Sequence, residues 1–404
     1  MKRRVVALAW MGAVLLGAPW PLGAEAPLTI SPVVVSGDRA PGGGTFGKFQ
    51  ERPMLTDAGA TIFVATVRGG ATALGIFLTS GGAITKVAAQ GDATPIGGTF
   101  QNFKLGRPSP TPSGKVVFVA AVAGGKASKA IFLVSQGAIR KVVALGDPTP
   151  IGGTFDDIDE RPSVNDDETV VLTASIKGGP SSGGVFLFAK GALTKLVAEG
   201  DPAPIGGKFA RSYSRPTINA RGAAVVSASI DGGPAPHGVF LAVGGALTPV
   251  VRSGDPAPAT GGARFVRFQD ADLNERDEIP FRAQLEGGAA AEGFFVASQG
   301  RIVKVVASGD SLPSGEKLDA PAGRPSANGR GAVAFLARLK DGVGIFLASN
   351  GAVTKVVTQD DPTPVGGTFG RLFPPSLTDS GAIVFRASVV GSRVSEGVFM
   401  AKRP

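Results

Sequence analysis

Apolar residues in this chain come in short runs, and the same two runs keep returning. One ends in x-Ala, at residues 62–65, 117–120, 171–174, 225–228, 333–337 and 383–387, with Ala283 closing the remaining copy. The other reads Gly-x-Phe-Leu or a close relative, and its aromatic recurs as Phe77, Phe132, Phe186, Phe240, Phe295, Phe346 and Phe399. Short β-branched and aromatic runs bounded by turn residues are strand signals. Beyond the first residues nothing pairs a 3.6-residue apolar period with helix caps, so no helix is predicted. A phenylalanine can bury about 150–250 Å², so the seven copies are expected to form the core between sheets. An alanine kept at one strand position predicts close approach of a neighbouring sheet.

Between these runs the polar residues repeat as well. A turn of the form Asn/Thr-x-x-Gly precedes the x-Ala run, opening at Thr56, Thr111, Asn219, Asn328 and Thr378; Asn165 and Asn274 open copies with Glu168 and Asp277 in the glycine place. A further strand carries Lys86, Lys141, Lys195, Lys304 and Lys355, with Pro32 and Pro249 in the other two copies. Lysine and proline blunt sheet edges against pairing, so this strand is expected to be the outermost and its lysines solvated. It leads into Gly146-Asp-Pro-Thr-Pro-Ile-Gly-Gly-Thr-Phe155 and its copies, whose aspartates are Asp38, Asp92, Asp147, Asp201, Asp255, Asp310 and Asp361. These step by 54, 55, 54, 54, 55 and 51 residues, the mark of one supersecondary unit repeated seven times.

Each unit holds four strands, called a to d here; strand a is a short stretch behind the Gly-Asp loop. The seventh unit lacks strand d, and a spare one, residues 28–35, precedes the first loop. Matched incomplete ends suit a closed ring. The expectation is an all-β fold, a seven-bladed β-propeller over 25–404, with the N-terminal strand completing the last blade.

The repeat core resembles the tandem NxxGxxAF repeat of exported bacterial proteins. Asn328-Gly-Arg-Gly-Ala-Val-Ala-Phe335 fits it at all four named positions, while other copies use Thr for Asn and Ile or Val for the Ala. The resemblance covers residues 27–404. It implies export and a propeller-like repeat, and it brings no catalytic residues.

Met1-Lys-Arg-Arg4, an apolar run to Leu16 and a breaker-rich stretch to Ala24 have the order of a secretory signal peptide, assigned to 1–24. The run is too short for a permanent membrane anchor, and no other stretch reaches spanning length. The mature chain is expected to be exported, periplasmic or extracellular, and monomeric. Cleavage removes three basic residues and lowers the net charge from +9 to +6. The remaining basic residues are scattered, which argues against nucleic acid as a partner. There is no cysteine, so packing alone holds the fold.

Candidate chemistry follows from the loops. Seven aspartates on one face suit a cation such as Ca²⁺ or sugar hydroxyls, yet Gly-Asp-Pro is also what a tight turn requires, and a structural role is the expected one. No other cofactor is indicated. Arg52, Arg107, Arg161, Arg215 and Arg324 each precede a proline at the start of strand a. They either pair with the loop aspartates, the expected arrangement, or line the channel as an anion site. Blade five has Asp270-Ala271 and blade seven Pro374-Pro375 instead, and blade six changes its loop to Leu312-Pro-Ser-Gly-Glu316. If the ring holds a specialised site, those blades are where it is expected. His237, the one histidine, falls in a connector and is expected to be exposed. The acidic pairs at 156–157 and 166–168 fall in turn-like positions. The reading is a binding or scaffold module for a polysaccharide, envelope component or protein; the alternative is an extracellular lyase or hydrolase using carboxylates and arginines at the ring mouth.

Overall fold

The computed structural model describes residues 27–56, 58–103, 108–213 and 215–403; the leader segment lies outside them. Over these residues the chain forms seven antiparallel sheets and no helix, arranged as a seven-bladed β-propeller. Blade four is representative. Strand a is Lys208–Tyr213 with Thr217–Ile218, b is Ala224–Asp231, c is His237–Val243 and d is Ala246–Arg252, paired in that spatial order. Blade seven takes a, b and c from the C-terminal end, and its d strand is Thr29–Val35. That strand runs antiparallel to Glu396–Lys402, with Thr29 opposite Lys402 and Val35 opposite Gly397. The Ser36 N–H donates to the Glu396 carbonyl and the Ser395 N–H to the Ser36 hydroxyl, both at 2.9 Å. Strand d is outermost, as its lysines predicted.

Strand a begins earlier than the sequence suggests. The apolar residue that closes each Gly-Asp loop, preceded by threonine in four blades, is already in the sheet, as in Thr45–Leu55 and Thr154–Ile158. Its apolar residue is buried in every blade, and in six it is a phenylalanine. Each of these meets the strand-c phenylalanine of its own blade edge to face. Phe46–Phe77, Phe100–Phe132, Phe155–Phe186, Phe209–Phe240, Phe265–Phe295 and Phe369–Phe399 have centroids 4.9–5.4 Å apart. Such pairs add about 0.5–1.5 kcal/mol beyond the area they bury.

The repeated alanine lies in the core shared with the neighbouring blade, as Ala228 does with Val171, Val185 and Val197 of blade three, and a glycine faces it across the ladder. In blade four Ala228 lies opposite Gly238, and a Cβ on Gly238 would come within 2.8 Å of the Phe240 ring. Gly293 and Phe295, and Gly344 and Phe346, repeat the crowding. The ring of strand c folds back over the glycine two residues before it. The core then fills the space between blades, as where Val171, Val185 and Val197 of blade three pack with Val226, Phe209 and Phe240 of blade four.

At the a–b turns the blades are tied to one another. Asn165 donates to the Asn219 carbonyl, Asn219 to Asn274, Asn274 to Asn328 and Asn328 to Thr378, at 2.8–3.2 Å. The other side-chain atom of each asparagine accepts a backbone N–H of its own turn. One asparagine thus closes a turn and links two blades.

Removing Thr29–Val35 would expose the backbone of Glu396–Lys402 as an open edge. A chain starting at Ser36 is expected to lose cooperative thermal unfolding, monitored by circular dichroism, and a synthetic peptide of residues 27–36 is expected to restore it in trans.

Candidate functional site

The seven loop aspartates are engaged within their own loops. One carboxylate oxygen of each accepts the backbone N–H three residues earlier, from Val35, Ala89, Ala144, Ala198, Arg252, Ala307 or Thr358, at 2.8–3.0 Å. The glycine before it has φ of 84–97° and donates to the carbonyl of the strand-a apolar residue. In blade seven Asp360 takes that place at φ 68°. In five blades the strand-d lysine reaches the same aspartate: Lys86–Asp92, Lys141–Asp147, Lys195–Asp201, Lys304–Asp310 and Lys355–Asp361 lie 2.9–3.0 Å apart. Arg252 serves Asp255 in blade four to five. These lysines are therefore not simply solvated. The expected pairing of Arg-Pro arginines with loop aspartates is also corrected, because strand d already supplies the cations.

The arginines turn inward. Strand a breaks register at the Arg-Pro step, between Gln50 and Met54 and between Ala322 and Ser326. Such a bulge re-aims a side chain, and proline is tolerated there because the innermost strand has no further partner. Arg52, Arg161, Arg215 and Arg324 line an axial cavity of about 300 Å³ with Asp270 and Arg386. Arg107 lies outside the described residues. Arg324, only 6% exposed, donates to the Thr217 hydroxyl at 2.9 Å, to the Ala271 carbonyl and to Asp272 at 3.2 Å. Burial pushes the Arg52 guanidinium down to about 10, against the pull of Asp272 and with the push of Arg324. The odd blades explain themselves here. Blade five contributes acid, Asp270 and Asp272, into a basic ring. Blade seven replaces its missing arginine with Arg386 of strand b, whose guanidinium lies 3.5 Å from the centre of the Phe373 ring. The altered loop of blade six keeps the ordinary turn, with the Leu312 N–H donating to the Glu316 carbonyl at 2.8 Å.

Beside the channel, between blades four and five and toward the Gly-Asp loops, lies a larger pocket of about 420 Å³. Its wall includes Asp159, Tyr213, Ser229, His237, Arg267 and Gln269, and it shares Arg215, Asp270 and Arg324 with the channel. His237 opens strand c and is half-buried, not exposed in a connector. Its Nδ1 lies 3.1 Å from the Ser229 hydroxyl. Burial lowers its pKa, and Arg267 lowers it further. Burial raises the Asp159 carboxyl, outweighing the Arg161 N–H bond that opposes it. Burial also raises Tyr213. The buried Tyr213 and Ser227 hydroxyls have no hydrogen-bond partner among the described residues. Sequence reasoning missed Tyr213, Arg267, Asp272 and Arg386, which fall at repeat positions that vary from blade to blade.

The acidic pairs serve the joints. Asp157 bonds Lys129 of the preceding blade at 2.9 Å, and Asp166 bonds Ser113 at 2.6 Å. Glu168, at φ 62°, pairs with Arg140 and Lys115, and Asp277, at φ 60°, with Arg221. Among the described residues no three or more His, Asp or Glu side chains are grouped for a metal, and no helix is long and apolar enough to cross a membrane.

A family model described as "Family of unknown function (DUF7453)" matches residues 18–344. No curated protein matches. Solved structures similar to the chain include the Pyrococcus horikoshii acylaminoacyl peptidase (11% identity, TM-score 0.51, covering 88% of this chain and 52% of that one). A Mycobacterium tuberculosis puromycin-hydrolyzing peptidase has 12% identity and a TM-score of 0.49, covering 87% and 50%. The polysaccharide lyase Uly1 has 9% identity and a TM-score of 0.45, covering 94% and 97%. The chain spans about half the length of the peptidases it matches. At these identities the likeness is one of fold.

Removing a loop carboxylate strands a backbone N–H, so Asp201→Ala is expected to cost about 1–2 kcal/mol in denaturant unfolding. Lys195→Ala, which removes an exposed partner, should change stability by less than about 0.5 kcal/mol. For Asp361, burial raises the carboxyl, but the Thr358 N–H and Lys355 outweigh it and hold it below its usual value. A depressed folded pKa gives stability present above the unfolded value, about 3.9, and lost as pH falls through the folded one. The stability gap between the native chain and Asp361→Asn should therefore close on acidification below about pH 4.

Proposed function

Because the chain belongs to a family of unknown function (DUF7453), we propose its role from geometry: it is a propeller binding module that takes a saccharide in the pocket between blades four and five. The observation that carries this reading is the pocket itself. Its volume falls within the range of about 300–1,000 Å³ usual for small-molecule sites. Its wall interleaves hydroxyl, imidazole, amide, guanidinium and carboxylate groups around Tyr213 and Phe268. Alternating donors and acceptors beside aromatic faces suit a polyhydroxyl ring. The guanidinium of Arg267 at the pocket wall suits a sugar that also bears an acidic group. The charged, apolar and breaker-rich sequence at 1–24 and the NxxGxxAF-like repeat support export, and an exported monomer would meet polysaccharide of the cell envelope or its surroundings. Calcium has a smaller part in this reading, since every loop carboxylate is already bonded.

One observation favours turnover as a second reading. Asp159 is held toward its protonated form and His237 toward its neutral form in the same pocket, which offers one proton donor and one acceptor.

A thermal-melt screen of the mature chain against neutral and uronate-containing oligosaccharides tests both. A ligand at about 100 times its Kd should add about 2.7 kcal/mol of stability. Arg267→Met and Gln269→Ala are expected to weaken binding at least tenfold while leaving the unliganded Tm within about 2 °C. A panel with no shift, or equal shifts in the variants, would remove the pocket as the site. Release of new reducing or unsaturated ends, abolished in Asp159→Asn or His237→Ala, would favour the enzyme.

A further inference from the structure

We propose that the axial channel is an oxyanion site, in which guanidinium groups from blades one, three and six hold a tetrahedral oxyanion or a carboxylate. The site adjoins the saccharide pocket through Arg215, Asp270 and Arg324, while Arg52 and Arg161 line the channel and not the pocket. Three observations carry it. Five arginines, Arg52, Arg161, Arg215, Arg324 and Arg386, converge on one cavity with Asp270 the single carboxylate in its wall. In three of them the N–H groups are incompletely used. Buried Nε and Nη1 of Arg52, Nη1 of Arg161 and Nε of Arg324 have no hydrogen-bond partner among the described residues. Finally, Arg324 is 6% exposed and anchored through its Nη2, which donates to Thr217, Ala271 and Asp272.

Buried charge without a counter-charge is costly, and removing it is often neutral or stabilising. A guanidinium stays charged at all ordinary pH and presents a planar fork of donors that matches the paired oxygens of a carboxylate, sulfate or phosphate. Asp272 occupies one side of Arg324 but leaves the donors of Arg52 and Arg161 unanswered. An oxyanion between them would answer both demands at once. Its source is either a free inorganic ion or the acidic group of a sugar reaching in from the mouth.

Thermal melts and isothermal titration calorimetry of the mature chain, at constant ionic strength with chloride as the balance, test the proposal using sodium sulfate and sodium galacturonate as separate probes. Sulfate stabilises most proteins by exclusion from their surface, so saturation and variant dependence decide the outcome. A saturable rise in Tm at millimolar probe, with a matching calorimetric isotherm, is expected for the native chain. Arg52→Met and Arg161→Met should lose the saturable part at least tenfold and be no less stable than the native chain in chloride. Arg52→Lys, which keeps the charge but not the fork, should weaken binding and serves if the methionine variants fail to fold. Saturation by sulfate assigns a free ion, and saturation by galacturonate alone assigns a carried carboxylate. An equal, unsaturable shift in native and variant chains, or no shift with either probe, would overturn the site.

Discussion

Closing seven sheets into a ring forces their innermost strands together, and most of the chain's departures from plain repetition answer that crowding. Strand a of blade one, Thr45–Leu55, sits beside both Ser109–Pro110 of blade two and Ser376–Leu377 of blade seven. At that radius there is no room for a fifth strand, so these backbones need no ladder partner on the inner side. Proline and bulges are accepted there at little cost, and the bulges swing arginines toward the axis. The outer strands face the opposite problem and carry lysine against solvent. Chemistry concentrates at the centre because ring closure concentrates side chains from several blades there.

The repeat also separates the roles that a single consensus residue can hide. In the Gly-Asp loop the aspartate, the glycine and the lysine form one hydrogen-bonded unit complete within its blade. In the Asn-x-x-Gly turn, by contrast, the asparagine serves its own turn with one atom and the next blade with the other. Where threonine stands instead, at Thr56, Thr111 and Thr378, the hydroxyl still accepts the turn N–H but is too short to donate as the amide does. Glu168 and Asp277 pay for their left-handed backbone with ion pairs to the preceding blade.

Much of this was legible in the sequence. The period, the strand-c phenylalanines and the spare first strand were enough for the propeller and its closure, because each is a local pattern repeated along the chain. What stayed hidden was relational. The lysine and the aspartate six residues later look like an edge charge and a turn residue until a bulged strand d brings them together. Arg52 and Arg324 are five repeats apart in sequence, yet ring closure leaves only blade seven between them and both line one cavity. Arg386 belongs to strand b and stands in for an arginine missing from strand a, a substitution between elements that no alignment of repeats reveals. The pocket draws on Tyr213 and His237, the single tyrosine and single histidine of the chain, so the same regularity that disclosed the fold concealed the site.

The strand supplied by the N-terminus sets the order in which the molecule can be assembled. Hydrogen bonds join Ser36 to Ser395 and Glu396 across 359 and 360 residues, whereas the pairings within the other six blades are all short hairpins or near neighbours. Local contacts form first because they lose less chain entropy. An arc of nearly complete blades would therefore precede the ring, with blade seven lacking one strand until the end. The entropy of closing so long a loop grows only with the logarithm of its length, about 0.6 kcal/mol for each doubling, so the last step is late without being prohibitive. Until it occurs, the edge of Glu396–Lys402 is open to any other chain's first strand, which makes the timing of that closure the point at which a monomer and a strand-exchanged dimer diverge.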